Sequence, residues 1–157
     1  MDTVAANNYI HSYAESKHPY NAAFDINGCG ITIRNNEIAY SNHVAIRYAG
    51  NNHMIEYNDI HDVCRFASDS GAISSSRTLK YYGNILRFNY IHDIGNPELK
   101  KTDLVGIYWD SGLGGQTACG NIFSNIYGYG MGVSGGPDNT IKDNIFINCI
   151  VNISYDQ

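Results

Sequence analysis

One short pattern returns five times along this chain: an aliphatic residue or its substitute, two spacers, an asparagine, one or two residues, then Ile or Phe. It reads ITIRNNEI ending at Ile38, MIEYNDI ending at Ile60, ILRFNYI ending at Ile91, TACGNIF ending at Phe123 and TIKDNIF ending at Phe146. The marker residues Asn36, Asn58, Asn89, Asn121 and Asn144 stand 22, 31, 32 and 23 positions apart. A coil of about 22 residues with two insertions of about nine accounts for all four spacings.

A repeat of this kind specifies a solenoid, in which each unit buries its apolar face only against its neighbours. Helical solenoids need longer units and helix-favouring residues. Here the pieces between markers are short, β-branched and aromatic, such as ITI, AIRY, GIYW and NIFIN, and Gly and Asn separate them. Nineteen of the 157 residues are Asn, which helices and ordinary strands both disfavour. A parallel β-helix reconciles that number with a packed core. Inward side chains stack as aliphatic rows, while Asn at a tight turn tolerates left-handed backbone and bonds its amide to the next Asn in the stack. The expectation is an all-β single domain over residues 1–157 with five to six coils. No amphipathic helix caps either end, so the chain reads as a piece of a longer solenoid or a unit that assembles end to end.

Composition narrows the function classes. A net charge of −5 argues against nucleic acid as partner. No apolar run approaches the length of a membrane-spanning helix, so no membrane partner is expected. Four Cys (Cys29, Cys64, Cys119, Cys149) are scattered and form no CxxC pair. They read as free thiols rather than a disulfide framework or a zinc site. The N-terminus shows neither a basic region nor an apolar stretch that would mark a signal peptide.

Aligning the coils on the strand after the Asn turn brings out a second row. The segments are HVAIRY from His43, DSGAISSSR from Asp69, DLVGIYWDSG from Asp103 and GMGVSGG from Gly130, with Ala45, Ala72, Gly106 and Gly132 in register as small residues. A small residue on every coil leaves a groove or lets a ligand approach closely. Around it lie His43, Arg47, Asp69, Arg77, Asp103, Tyr108, Trp109 and Asp110. Asp69 and Asp103 should stack as neighbours, which pushes one carboxyl up toward general-acid duty. Asp110 and Arg77 should meet at the far end of the strand. Trp109, the only Trp, beside Tyr108 would offer an aromatic surface to a sugar ring. The two insertions, after Asp69 and around 96–102, fall on the same face.

Each residue has a plainer reading too. Either aspartate can cap backbone amides, Arg77 and Asp110 can be a structural ion pair, Trp109 can pack between coils, and His43 can serve a turn. A rival constellation lies past the Asn markers, where Ile-His-Asp occurs at 60–62 and 91–93. His61 and His92 should stack with Asp62 and Asp93 beside them, as in a metal site. Other coils hold Ala39, Ser124 and Ile147 there, which favours turn residues, and no metal ligand is assigned.

The runs HMIEYNDIHDVCR (His53 to Arg65), DSGAI, GNILRFNYIHDIGN, GIYWD and GGPDNTIKDNIFINC resemble those of secreted bacterial right-handed parallel β-helix enzymes acting on carbohydrate. The group they most resemble is glycoside hydrolase family 141, which includes enzymes acting on complex pectin and on xylan. The resemblance runs from Asn7 to Asp156 and implies a right-handed coil. It also implies a secreted or periplasmic protein and a poly- or oligosaccharide substrate. The aspartates of its D-x-G-A-I and G-I-Y-x-D motifs fall on Asp69 and Asp110, which become the implied catalytic pair; from the coil alignment, His43, Arg77, Asp103, Tyr108 and Trp109 around them are expected to contact substrate. The chain departs from the family at 74–79, where Ser-Ser-Ser-Arg-Thr-Leu replaces an aromatic and acidic run, and at Ser111, commonly a second acid. The implied activity is glycoside hydrolysis without a cofactor. The alternatives are a polysaccharide lyase, which would use Ca²⁺ to neutralise a uronate, and a non-catalytic carbohydrate-binding segment.

Overall fold

The fold follows from the repeat. A computed structural model describes residues 3–16, 21–76, 78–99 and 103–156, and its strands wind into six coils with three walls. The first wall is β1 (Thr3–Ala6), β4 (Ile31–Arg34), β7 (Met54–Glu56), β10 (Ile85–Arg87), β13 (Thr117–Cys119) and β15 (Thr140–Lys142). The second is β2 (Tyr9–His11), β5 (Glu37–Ala39), β8 (Asp59–His61) and β11 (Tyr90–Ile94). The third is β3 (Phe24–Cys29), β6 (Ile46–Asn51), β9 (Ser70–Ser76) and β12 (Leu104–Asp110). In the last two coils the single strands β14 (Ile122–Ser134) and β16 (Ile145–Asp156) run through both the second and third walls. Every pairing is parallel and joins one coil to the next.

Three interior rows hold the coils together. Ala5, Ile33, Ile55, Leu86, Ala118 and Ile141 line the first wall. Ile10, Ile38, Ile60, Ile91, Phe123 and Phe146 line the second, the final residues of the sequence pattern in register. Phe24, Ile46, Ile73, Ile107, Met131 and Ile153 line the third. Ile33, Ile38, Ile55, Ile60, Ile73 and Ile91 are completely buried, and each such side chain contributes about 1.5 to 3 kcal/mol of burial.

The marker asparagines form the expected ladder. From Asn8 through Asn36, Asn58, Asn89 and Asn121 to Asn144, each side-chain amide and each backbone N–H donates to the next Asn Oδ1, at 2.8 to 3.1 Å. A second hydrogen on Asn36, Asn58, Asn89 and Asn121 goes to a carbonyl of the preceding coil, Ala5, Ile33, Ile55 and Leu86 in turn. One expectation needs correcting. The left-handed backbone belongs to the residue before each marker, namely Asn7, Asn35, Tyr57, Phe88, Gly120 and Asp143, with φ between 53° and 64°. The corner is turned one residue early so that the marker amide points inward to its partners. Bulky residues strain at positive φ, yet Tyr57 and Phe88 stack there at 5.2 Å, with Phe88 lying over Gly120, where a Cβ would come within 2.5 Å of its ring.

A second ladder at the opposite end of the short wall was not read from the sequence. Asn84 Oδ1 accepts the His53 N–H, Asn84 Nδ2 donates to Gln116 Oε1, and Asn139 Oδ1 accepts the Gln116 N–H, at 2.9 to 3.1 Å. The His53 ring continues it, with Nδ1 accepting from Ile31 N–H and Nε2 meeting Ala49 O at 3.0 Å. A left-handed residue again precedes each member, at Asn52, Gly83, Gly115 and Asp138.

Asn89→Ala strands both the backbone and the side-chain amide of Asn58 in the interior and removes the donor to Ile55 O. The expected cost is about 3 to 5 kcal/mol, read from the urea unfolding midpoint. Asn8→Ala, at the exposed end of the ladder, removes only a side-chain donor to Asn36 Oδ1 and is expected to cost about 1 kcal/mol. Equal losses at the two sites would mean that the ladder does not carry the stability.

Candidate functional site

Strand pleating decides what the third wall shows to solvent, because alternate residues point to opposite faces. One outward row runs Asp25, Arg47, Ser74, Tyr108, Gly132 and Ser154 across all six coils. Two positions on, Asp110 pairs with Ser76, and Ser134 pairs with Asp156. This face holds a cavity of about 710 Å³, lined among others by Asp25, His43, Arg47, Asp69, Ser74, Tyr81, Tyr108 and Asp110. A smaller one of about 120 Å³ adjoins it, sharing Asp69 and Tyr108 and adding Asp103, Ser134 and Asp156.

Asp69 sits just ahead of β9 in a left-handed conformation, φ 48°. The Asp103 carboxylate on the next coil accepts the Asp69 backbone N–H at 3.0 Å, so the two are neighbours and Asp103 fixes the turn that presents Asp69. The Tyr108 hydroxyl donates to Asp69 Oδ1 at a long 3.4 Å. Asp110 Oδ1 accepts the Ser111 hydroxyl at 3.0 Å. The Tyr108 phenol is pushed up to about 12, first by burial and then, against a hydrogen bond with Ser134, by the charges of Asp110 and Asp69. Tyr108 therefore stands between the two carboxylates as a neutral donor at any physiological pH.

The structure corrects two expectations. Trp109 offers no surface to a sugar. It has the opposite parity to Tyr108 and Asp110, and its indole is completely buried. It lies in the interior near the Tyr48 hydroxyl and Ser75, where burial holds the Tyr48 phenol far above its ordinary value, and that hydroxyl donates to Gln116 Oε1 at 3.0 Å. The small-residue row likewise lines the core and not the groove. Ala45 and Ala72 are completely buried. Ile107 pairs with Met131, so Gly130, not Gly132, stands beside Gly106. A Cβ on Gly106 would come within 2.8 Å of the Phe123 ring, and one on Gly130 within 2.5 Å of Phe146. The small residues make room inside for those two rings, which stack at 4.8 Å. Gly132 faces outward, beside the Tyr108 ring.

His43 and Arg47 line the larger cavity. Asp25, which sequence reasoning missed, clamps Arg47 through two hydrogen bonds, Nε to Oδ1 at 3.1 Å and Nη2 to Oδ2. Its signal was available: Asp25 precedes Arg47 by 22 residues, the base coil length. Tyr81, on the loop after β9, is a second missed lining residue. Arg77 lies outside the described residues, so its expected meeting with Asp110 is not described.

The matching family model is that of the right handed beta helix region, and it covers residues 5–155. The chain belongs to that family. No curated protein and no solved structure matches it. A right-handed β-helix fits carbohydrate-acting or carbohydrate-binding proteins broadly.

The rival histidines stack as expected, His61 over His92 at 4.9 Å. Their partners are structural. Asp62 and Asp93 hold left-handed corners at φ 49° and 51° and receive the Nδ1 atoms of His61 and His92 at 3.0 and 2.7 Å. His92 Nε2 meets Asp59 Oδ1 at 3.0 Å. Among the described residues no group of three or more His, Cys, Asp or Glu is placed to hold a metal ion. Burial would lower the His61 pKa, but hydrogen bonds to Asp62 and Glu37 and the charges of Asp59 and Asp62 raise it above its ordinary value.

Two outcomes follow from these placements. Trp109→Ala is expected to cost about 3 to 5 kcal/mol, and the fluorescence of this sole Trp should resist acrylamide quenching with or without sugar. Because the folded pKa of His61 is raised, its stabilisation is fully present below the unfolded value near 6.5 and is lost as pH rises through the folded value. The stability gap between wild type and His61→Gln should therefore be larger at about pH 5.5 than at about pH 8.5, as read by parallel urea titrations.

Proposed function

We propose that this β-helix is a glycoside hydrolase acting on a plant or bacterial polysaccharide, with Asp69 and Asp110 as its carboxylate pair. The observation that carries the reading is that both aspartates line one open cavity on the outer face of the third wall, with the Tyr108 phenol under the charge of each. Glycoside hydrolysis needs two carboxyl groups flanking the scissile bond, one to protonate the leaving oxygen and one to act as nucleophile or to activate water. Asp110, next to the Ser111 hydroxyl, and Asp69, held by Asp103 and touched by Tyr108, have different surroundings.

Asp103 acts in this reading through the turn it fixes, and His43, which lines the same cavity, contacts substrate. Trp109 has no part in substrate contact. A lyase reading is less well supported: among the described residues of both cavities the only Arg or Lys is Arg47, held by Asp25. A proton abstraction beside a uronate calls for a base and for cationic neutralisation. The expected location is secreted or periplasmic, where such polymers occur.

Asp69→Asn and Asp110→Asn should each lower kcat by about 10³-fold while oligosaccharide binding persists, followed by reducing-end release from a panel of polysaccharides. Turnover unaffected by both substitutions would end the proposal. Product anomer by NMR would then separate a retaining pair, carboxyls about 5 Å apart, from an inverting one at about 6.5 to 9.5 Å.

A further inference from the structure

Resting on the carbohydrate reading of this cavity, we infer that the groove takes an uncharged glycan and turns away uronate-bearing ones. Among the described residues, the two adjoining cavities present five carboxylates, Asp25, Asp69, Asp103, Asp110 and Asp156, against Arg47 and the imidazole of His43. Ionised carboxylates only accept hydrogen bonds. Sugar hydroxyls donate, so a neutral chain meets carboxylate acceptors along the groove. A uronate carboxylate meets like charge, which opposes binding at close range.

Among the described lining residues Arg47 is the one guanidinium that could receive a uronate, and Asp25 already engages its fork. Asp25 on the adjacent coil binds it at Nε and Nη2, the two-point geometry by which an arginine would otherwise hold a substrate carboxylate. The Tyr108 phenol registers the same field, held up in part by the charges of Asp110 and Asp69. The carboxylates come from the first, third, fourth and sixth coils, so the negative potential extends along the solenoid axis and is not confined to the Asp69 and Asp110 pair.

The test is a glycan array probed with the full chain. It carries neutral xylo-, arabino-, gluco- and fucosylated oligosaccharides beside oligogalacturonates, glucuronoxylan fragments and alginate. Retained glycans are then titrated at low and high salt. The expected result is binding of at least one neutral glycan about tenfold or more tighter than any uronate of equal length, with the ratio shrinking as salt screens the groove. Asp25→Asn, which removes the two-point carboxylate clamp on Arg47, should raise uronate retention several-fold. Uronates bound as tightly as neutral chains, with binding weakened by Arg47→Gln, would overturn the inference while leaving the carbohydrate reading intact. Retention of neither class would overturn both.

Discussion

The amide ladder is the constraint on which the rest of this structure depends. A solenoid has no distant layers to brace it, so each coil is fixed only by what it exchanges with the next. Backbone pairing alone would let short three-residue strands slip. The marker asparagines prevent this, because each Oδ1 must meet both a backbone N–H and a side-chain amide of the preceding coil. A slip of one residue breaks these bonds in the interior, where water cannot replace them. The second ladder through His53, Asn84, Gln116 and Asn139 does the same at the other end of the short wall. The short wall is thus clamped at both corners.

With register fixed, pleating sends one row of the third wall into the core and the next into the groove. The row Phe24, Ile46, Ile73, Ile107, Met131 and Ile153 goes in, and the row Asp25, Arg47, Ser74, Tyr108, Gly132 and Ser154 goes out. Asp69 and Asp110 come from different coils and share a cavity because the coils beneath them cannot shift. In the proposed reading the carboxyl pair is carried by a face whose register is fixed, as a site requiring two positioned carboxyl groups demands. The insertions add to this face without disturbing it. One supplies the loop bearing Tyr81 to the larger cavity, and the other leads into Asp103, which holds the Asp69 turn.

Sequence spacing located the coils because a solenoid writes its period directly into the chain. The five marker asparagines, the Ile and Phe residues behind them, and the stacking of His61 on His92 were all legible in that way. The second ladder was legible in principle, since His53, Asn84, Gln116 and Asn139 each precede a marker asparagine by five residues. It escaped because His, Asn and Gln perform the same bonding under three names. The Asp25 and Arg47 pair escaped because the pattern is weakest in the first coil.

What the sequence alone determined is the coil: its period, its apolar rows and its Asn corners, because these are local and repeat. What only the tertiary structure decided is parity and register beyond an insertion. Trp109 reads as a groove residue from its neighbours in the chain, yet pleating turns it inward between Tyr108 and Asp110. Gly132 aligns with Gly106 by motif, but the hydrogen-bonded register between the fourth and fifth coils is shifted two residues from that alignment, pairing Ile107 with Met131 and Tyr108 with Gly132. A count of residues cannot see such a shift, because the partner of a strand residue is set by inter-coil hydrogen bonds and by the room that Phe123 and Phe146 require inside.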